Sequence, residues 1–82
     1  MYDLILSDKS KEQLKKLSKN LQDRIGAVFE RIRIRPFHFV KRKQGTPHFI
    51  LRIGEYRAIL DIKNKKLIIL VLEIGPRKKI YK

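Results

Sequence analysis

Eighty-two residues with 43% hydrophobic and 35% charged side chains suit one small globular domain over residues 1–82, with a thin core that must pack well. The absence of cysteine excludes a disulfide framework and a thiolate zinc site. No apolar run approaches the roughly 18 residues of a membrane span, and Met1-Tyr2-Asp3-Leu4 does not read as a signal peptide, so a cytoplasmic protein with no membrane partner is expected.

Taken in chain order, Tyr2-Asp3-Leu4-Ile5-Leu6 reads as a short strand that stops at the polar cluster Ser7-Asp8-Lys9-Ser10. Ser7 or Asp8 can cap a first helix running to about Leu17, with Leu14 and Leu17 as its apolar contacts. Asn20 resembles a fresh N-terminal cap, with Asp23 in the first turn that follows. From there Leu21, Ile25, Val28, Phe29 and Ile32 recur at the spacing of one helical face, and Pro36 ends the helix. Residues 36–47, with two prolines, a glycine and the basic triplet Lys41-Arg42-Lys43, are expected to be the only real loop.

Three strands follow in quick succession, over residues 48–53, 56–63 and 66–74, with turns at Gly54-Glu55 and Asn64-Lys65. Links this short force antiparallel neighbours. The order β-α-α-β-β-β predicts an α+β domain in which a helical hairpin packs on one face of a small twisted, mainly antiparallel sheet. Strand alternation then sorts the side chains: with the aliphatics turned to the helices, His48, Arg52 and Arg57 fall on the open face.

The formal net charge of +13 is segregated, with +1 in residues 1–30 and +12 in residues 31–82. So one-sided a field attracts polyanions over a Debye length of about 8–10 Å, and nucleic acid is the leading partner class. Clustered carboxylates or histidines for a metal are missing from the basic part, no glycine-rich phosphate loop exists, and Ser7, Ser10 and Ser18 sit where serines cap helices. Neither a metal nor a cofactor is therefore expected. Nothing in the spacing of His38 and His48 aligns them on a shared phosphate.

Arginine and tyrosine remain. The last strand delivers Arg77, Lys78, Lys79 and Lys82 together with Tyr81 beyond the stiff exit at Pro76. RNA is cleaved without a metal when its own 2′-hydroxyl attacks the adjacent phosphorus while the protein moves protons and stabilises the phosphorane. Arginine forks suit that stabilisation, and cations around a phenol favour its ionised form. Read from the residues alone, Tyr81 is equally suited to packing on the core.

Arg52-Ile53-Gly54-Glu55-Tyr56-Arg57 and the ending Gly75-Pro76-Arg77-Lys78-Lys79-Ile80-Tyr81, together with the element order, resemble the RelE/ParE superfamily of toxin–antitoxin toxins over the whole chain. The resemblance to the RelE-like branch implies an mRNA endonuclease acting in the ribosomal A site, leaving a 2′,3′-cyclic phosphate and a 5′-hydroxyl, and neutralised by an acidic RelB-like antitoxin. It implies that Arg57 holds the scissile phosphate, Arg77 stabilises the transition state and Tyr81 aligns or activates the 2′-hydroxyl. Arg52, His48, Lys41, Arg42, Lys43, Lys78 and Lys79 would contact RNA. Such nucleases usually carry basic residues two and four places before Arg52, where this chain has Ile50 and His48. Either His48, Lys41 or Lys43 supplies that charge, or activity is weak. ParE-like relatives share the fold and inhibit DNA gyrase instead. A non-catalytic RNA- or ribosome-binding module is the third reading.

Overall fold

The fold grows from one buried strand. In the computed structural model, which describes residues 1–77, the aliphatic run at Ile68–Pro76 forms β5, flanked on one side by β1 (Asp3–Leu6) and on the other by β4 (Tyr56–Lys63). Next come β3 (Phe49–Ile53) and β2 (Val40–Arg42), giving the sheet order β1-β5-β4-β3-β2. The β1–β5 pair is parallel and the other three pairs are antiparallel. Two helices, α1 (Asp8–Lys15) and α2 (Lys19–Ile32), complete the α+β architecture among the described residues. None of the described helices is long and apolar enough to cross a membrane.

The core lies between the helical hairpin and one sheet face. Ile25, Phe29 and Ile32 of α2 bury against Leu51, Ile53, Ala58, Leu60, Ile69, Val71 and Ile74, with Leu14 and Leu17 at the margin. Each fully buried Leu, Ile or Phe contributes roughly 1.5–3 kcal/mol, so this one layer supplies most of the driving force for folding. The helical spacing of α2 and the alternation of β3 and β4 meet the expectation drawn from the sequence.

Boundaries moved where side chains compete for the backbone. Ser18, rather than Asn20, caps α2, its hydroxyl accepting from Leu21 N at 3.3 Å, and Ser7 caps α1 by accepting from Ser10 N at 3.1 Å. The first helix stops at Lys15. Leu67 adopts a left-handed conformation (φ 55°) after the turn at Asn64–Lys66, which delays β5 to Ile68.

The larger correction concerns residues 36–47, which are not one loop. Buried Pro36 opens a 3₁₀ turn over Pro36–His38, and Val40–Arg42 then adds β2 as a fifth strand, with Val40, Lys41 and Arg42 opposite Leu51, Ile50 and Phe49. The connecting turn is closed by Lys43 N donating to His48 O (2.9 Å) and by Thr46, whose hydroxyl donates to Lys43 O (2.8 Å). Gly45 sits there at φ 77°, where a side chain would be strained. Prolines and charges mask a strand this short and this polar, because its stability comes from its partner and not from its own composition.

α1 is held on β5 by polar side chains. The β4–β5 register slips between Ile59 and Leu60, so Leu72 is an extra residue in β5. Backbone groups of β5 around it are met from α1 and its cap: Ser7 Oγ donates to Leu72 O (2.9 Å), buried Ser10 Oγ donates to Val71 O (3.0 Å), and Gln13 Oε1 accepts from Ile74 N (2.7 Å). A bulge of this kind raises the local twist and re-aims the residues beyond it, which here lead to Arg77.

Candidate nucleic-acid interface

The open sheet face carries the charge. Ile50, Ile59 and Leu72 make a small apolar floor on it, separate from the main core. Beside that floor lies a pocket of about 240 Å³ lined by Phe39, Lys41, Ile50, Arg52, Arg57 and Arg77. This falls below the roughly 300–1,000 Å³ of most small-molecule sites, so it suits one charged group with a ring beside it. Four of the six lining residues are cationic and none is acidic. The nearest acids of β4 and β5 are engaged elsewhere, Asp61 with Lys63 (3.1 Å) and Glu73 with Lys9 (2.9 Å).

A single turn positions the two arginines that the motifs single out. Gly54, at φ 59°, and Glu55 link β3 to β4. Arg57 Nη1 donates to Gly54 O (3.1 Å) and Tyr56 O (3.0 Å), while the backbone N–H of Arg77 donates to Glu55 O (3.1 Å). Arg57 faces Gly75 across the β4–β5 ladder, so no side chain on that neighbour competes for its space. On the other side it directly opposes Arg52. Like charges in directly opposed strand positions cost stability, roughly 0.2–1 kcal/mol, a cost that an anion shared between them would offset.

Burial grades these cations. Arg57 is 3% exposed, whereas Arg52 and Arg77 are exposed. A charge taken from bulk water to an effective dielectric near 20 feels a counter-ion about four times more strongly. Arg57 is thus built as the anchor, fixed by two carbonyls before any ligand arrives, and the exposed cations as its adjustable partners.

The remaining expected residues divide. Lys41 reaches the pocket from β2 and stands opposite Ile50, so it brings a cation to the strand position where the sequence lacks one. Arg42 belongs to the other face, its guanidinium lying over the Phe49 ring at 5.9 Å. Lys43 and His48 are partly buried and joined through their backbones in the β2–β3 turn, and neither lines the pocket. The basic triplet is therefore split by strand alternation. Lys78, Lys79 and Tyr81 lie outside the described residues. Of the arginines ending α2, Arg33 is committed to structure, with Nε donating to Tyr2 O (2.8 Å) and Nη1 to Glu30 (2.9 Å). Phe39 is the lining residue that sequence reasoning missed. It caps the 3₁₀ turn just before β2, where no periodic pattern could have marked it.

Several toxin structures share this architecture. The RelE–RelB complex of Pyrococcus horikoshii matches with a TM-score of 0.81 at 24% identity, covering 93% of this chain and 94% of that one. The intact RelBE toxin–antitoxin complex of Escherichia coli matches with a TM-score of 0.79 at 17% identity, covering 93% and 96%. A YoeB/ParE toxin from Agrobacterium tumefaciens gives 0.74 at 12% identity, covering 92% and 98%. At such identities the likeness speaks for the fold. Among curated proteins, no sequence matches. Residues 4–81, however, match the family model described as the ParE toxin of the type II toxin–antitoxin system parDE. With nearly its whole length matched and the RelE architecture around its basic pocket, the chain belongs to the ParE toxin family, within the RelE/ParE superfamily of type II toxin–antitoxin toxins.

Proposed function

We propose that this toxin is a ribosome-dependent mRNA endonuclease that cleaves in the A site by attack of the substrate's own 2′-hydroxyl. The observation that supports this reading is the gathering of Arg52, Arg57, Arg77 and Lys41 around one small pocket on the open sheet face. In this mechanism Arg57 and Arg77 hold the scissile phosphate through its non-bridging oxygens. The 2′-oxygen forms a bond to phosphorus, the phosphorus–O5′ bond breaks, and a 2′,3′-cyclic phosphate and a 5′-hydroxyl result. One proton leaves the attacking hydroxyl and one arrives on the departing oxygen, and Tyr81 is assigned to align or activate the former. Charge that builds on the phosphorane is met by guanidiniums already in place, the arrangement that gives electrostatic catalysis its size. No step passes through a metal or cofactor.

A cytoplasmic site of action and an acidic antitoxin partner belong to the same reading. The structures from P. horikoshii and E. coli are toxin–antitoxin complexes, and a chain of net charge +13 calls for a partner of opposite sign. The test is to add the protein to translating ribosomes and map mRNA ends: new 5′-hydroxyl ends within codons support the reading, and intact mRNA overturns it.

The family match favours a second reading, inhibition of DNA gyrase without nuclease activity. Loss of gyrase supercoiling in vitro with mRNA left whole would select it.

A further inference from the structure

We propose that Phe39 is a stacking platform for a nucleobase of single-stranded RNA, placed beside the phosphate-binding cations. The proposal rests on the RNA-binding reading of the same pocket and specifies what that pocket takes besides a phosphate. Among the described aromatic residues, Phe39 alone lines it. The others are spoken for: Phe29 is in the core, Tyr2 and Tyr56 pack at its margin, and Phe37 meets Phe49 edge-on at 5.4 Å while Arg42 covers Phe49.

Local structure explains why Phe39 faces the cations. Its N–H donates to Pro36 O (3.2 Å), closing the 3₁₀ turn, and the His38 ring meets it edge-on at 5.5 Å. Lys41 follows two residues later on the adjoining strand, and both side chains line the pocket on the open face. Phe39 is 41% exposed, so apolar surface remains uncovered next to four cations. A site that offers charge alone would take any polyanion. One that offers charge with an aromatic face takes an unstacked, single-stranded nucleic acid, because every base has a π-face and a duplex hides it. Stacking of this kind tolerates any base, so Phe39 adds affinity without codon preference.

The chain contains no tryptophan, which makes Phe39→Trp a unique reporter. The probes are a short 2′-O-methyl RNA oligonucleotide, which cannot be cut by 2′-hydroxyl attack, and inorganic polyphosphate, which carries charge without rings. The oligonucleotide is expected to quench the tryptophan saturably, and polyphosphate to bind without quenching. Phe39→Leu, which keeps an apolar side chain if the tryptophan variant fails to fold, is expected to weaken oligonucleotide binding about five-fold or more and leave polyphosphate binding unchanged. Equal oligonucleotide affinity for wild type and Phe39→Leu, or equal quenching by polyphosphate, would overturn the platform. The two failures are separable. A Phe39→Leu protein that binds RNA normally while wild type still cuts mRNA removes only the platform. Quenching by RNA in a protein that leaves mRNA intact removes only the nuclease.

Discussion

Arg57 and Arg77 reach the same pocket by different means, and their variants should differ accordingly. Arg77 is tethered through its backbone to the Gly54-Glu55 turn and extends an exposed side chain. Arg77→Ala is expected to lower mRNA cleavage on translating ribosomes by about 10²–10³-fold, the usual loss when one charge-stabilising donor is removed, with thermal stability unchanged. Arg57 anchors one end of its fork on Gly54 O and Tyr56 O. A lysine at that position has no second nitrogen to offer, so Arg57→Lys should recover less than a tenth of wild-type cleavage in the same assay. Both arginines were legible in the sequence, as members of two motifs. Their shared dependence on one turn was not, since it joins a side chain from β4 to a backbone group just past β5.

The elements owe their stability to two different kinds of contact. α2 is held by apolar burial, and Ile25 at its centre is fully buried. Ile25→Ala is expected to cost about 2–5 kcal/mol, a large part of the roughly 5–15 kcal/mol that stabilises a domain, so the urea midpoint should fall steeply or the protein should fail to fold. α1 adds to the apolar contact of Leu14 a set of hydrogen bonds to β5. Gln13→Ala leaves the Ile74 N–H without its acceptor and should cost about 1–3 kcal/mol, read as a lower urea midpoint at unchanged slope. Apolar periodicity marked α2 clearly. It could not disclose the role of Ser7, Ser10 and Gln13, whose polar side chains look like those of any solvated helix until packing on β5 gives them backbone groups to satisfy.

At the scale of the molecule, charge and fold are arranged so that the helices cover one sheet face and the cations gather on the other. Binding to single-stranded RNA should therefore weaken steeply with salt. Four cationic side chains at the pocket predict a log–log slope of roughly −3 between 50 and 200 mM salt, at about 0.7 per phosphate neutralised. Lys41→Ala should make that slope shallower by about 0.7, whereas Arg42→Ala, on the opposite face, should leave it unchanged; Kd measured across a salt series checks both.

By itself the sequence determined the order of the two helices and four of the five strands, the face of α2 that goes inward, the alternation of β3 and β4 and the basic character of the second half. All of these follow from periodicity or composition within one segment. Tertiary structure alone decided that Val40–Arg42 is a strand, that Lys41 and Phe39 face the pocket while Arg42 turns away, and that polar groups of α1 bond to the backbone of β5. The physical reason is register. A side chain's face is set by which residue its strand is paired with, and a slip of a single position would exchange the two faces throughout.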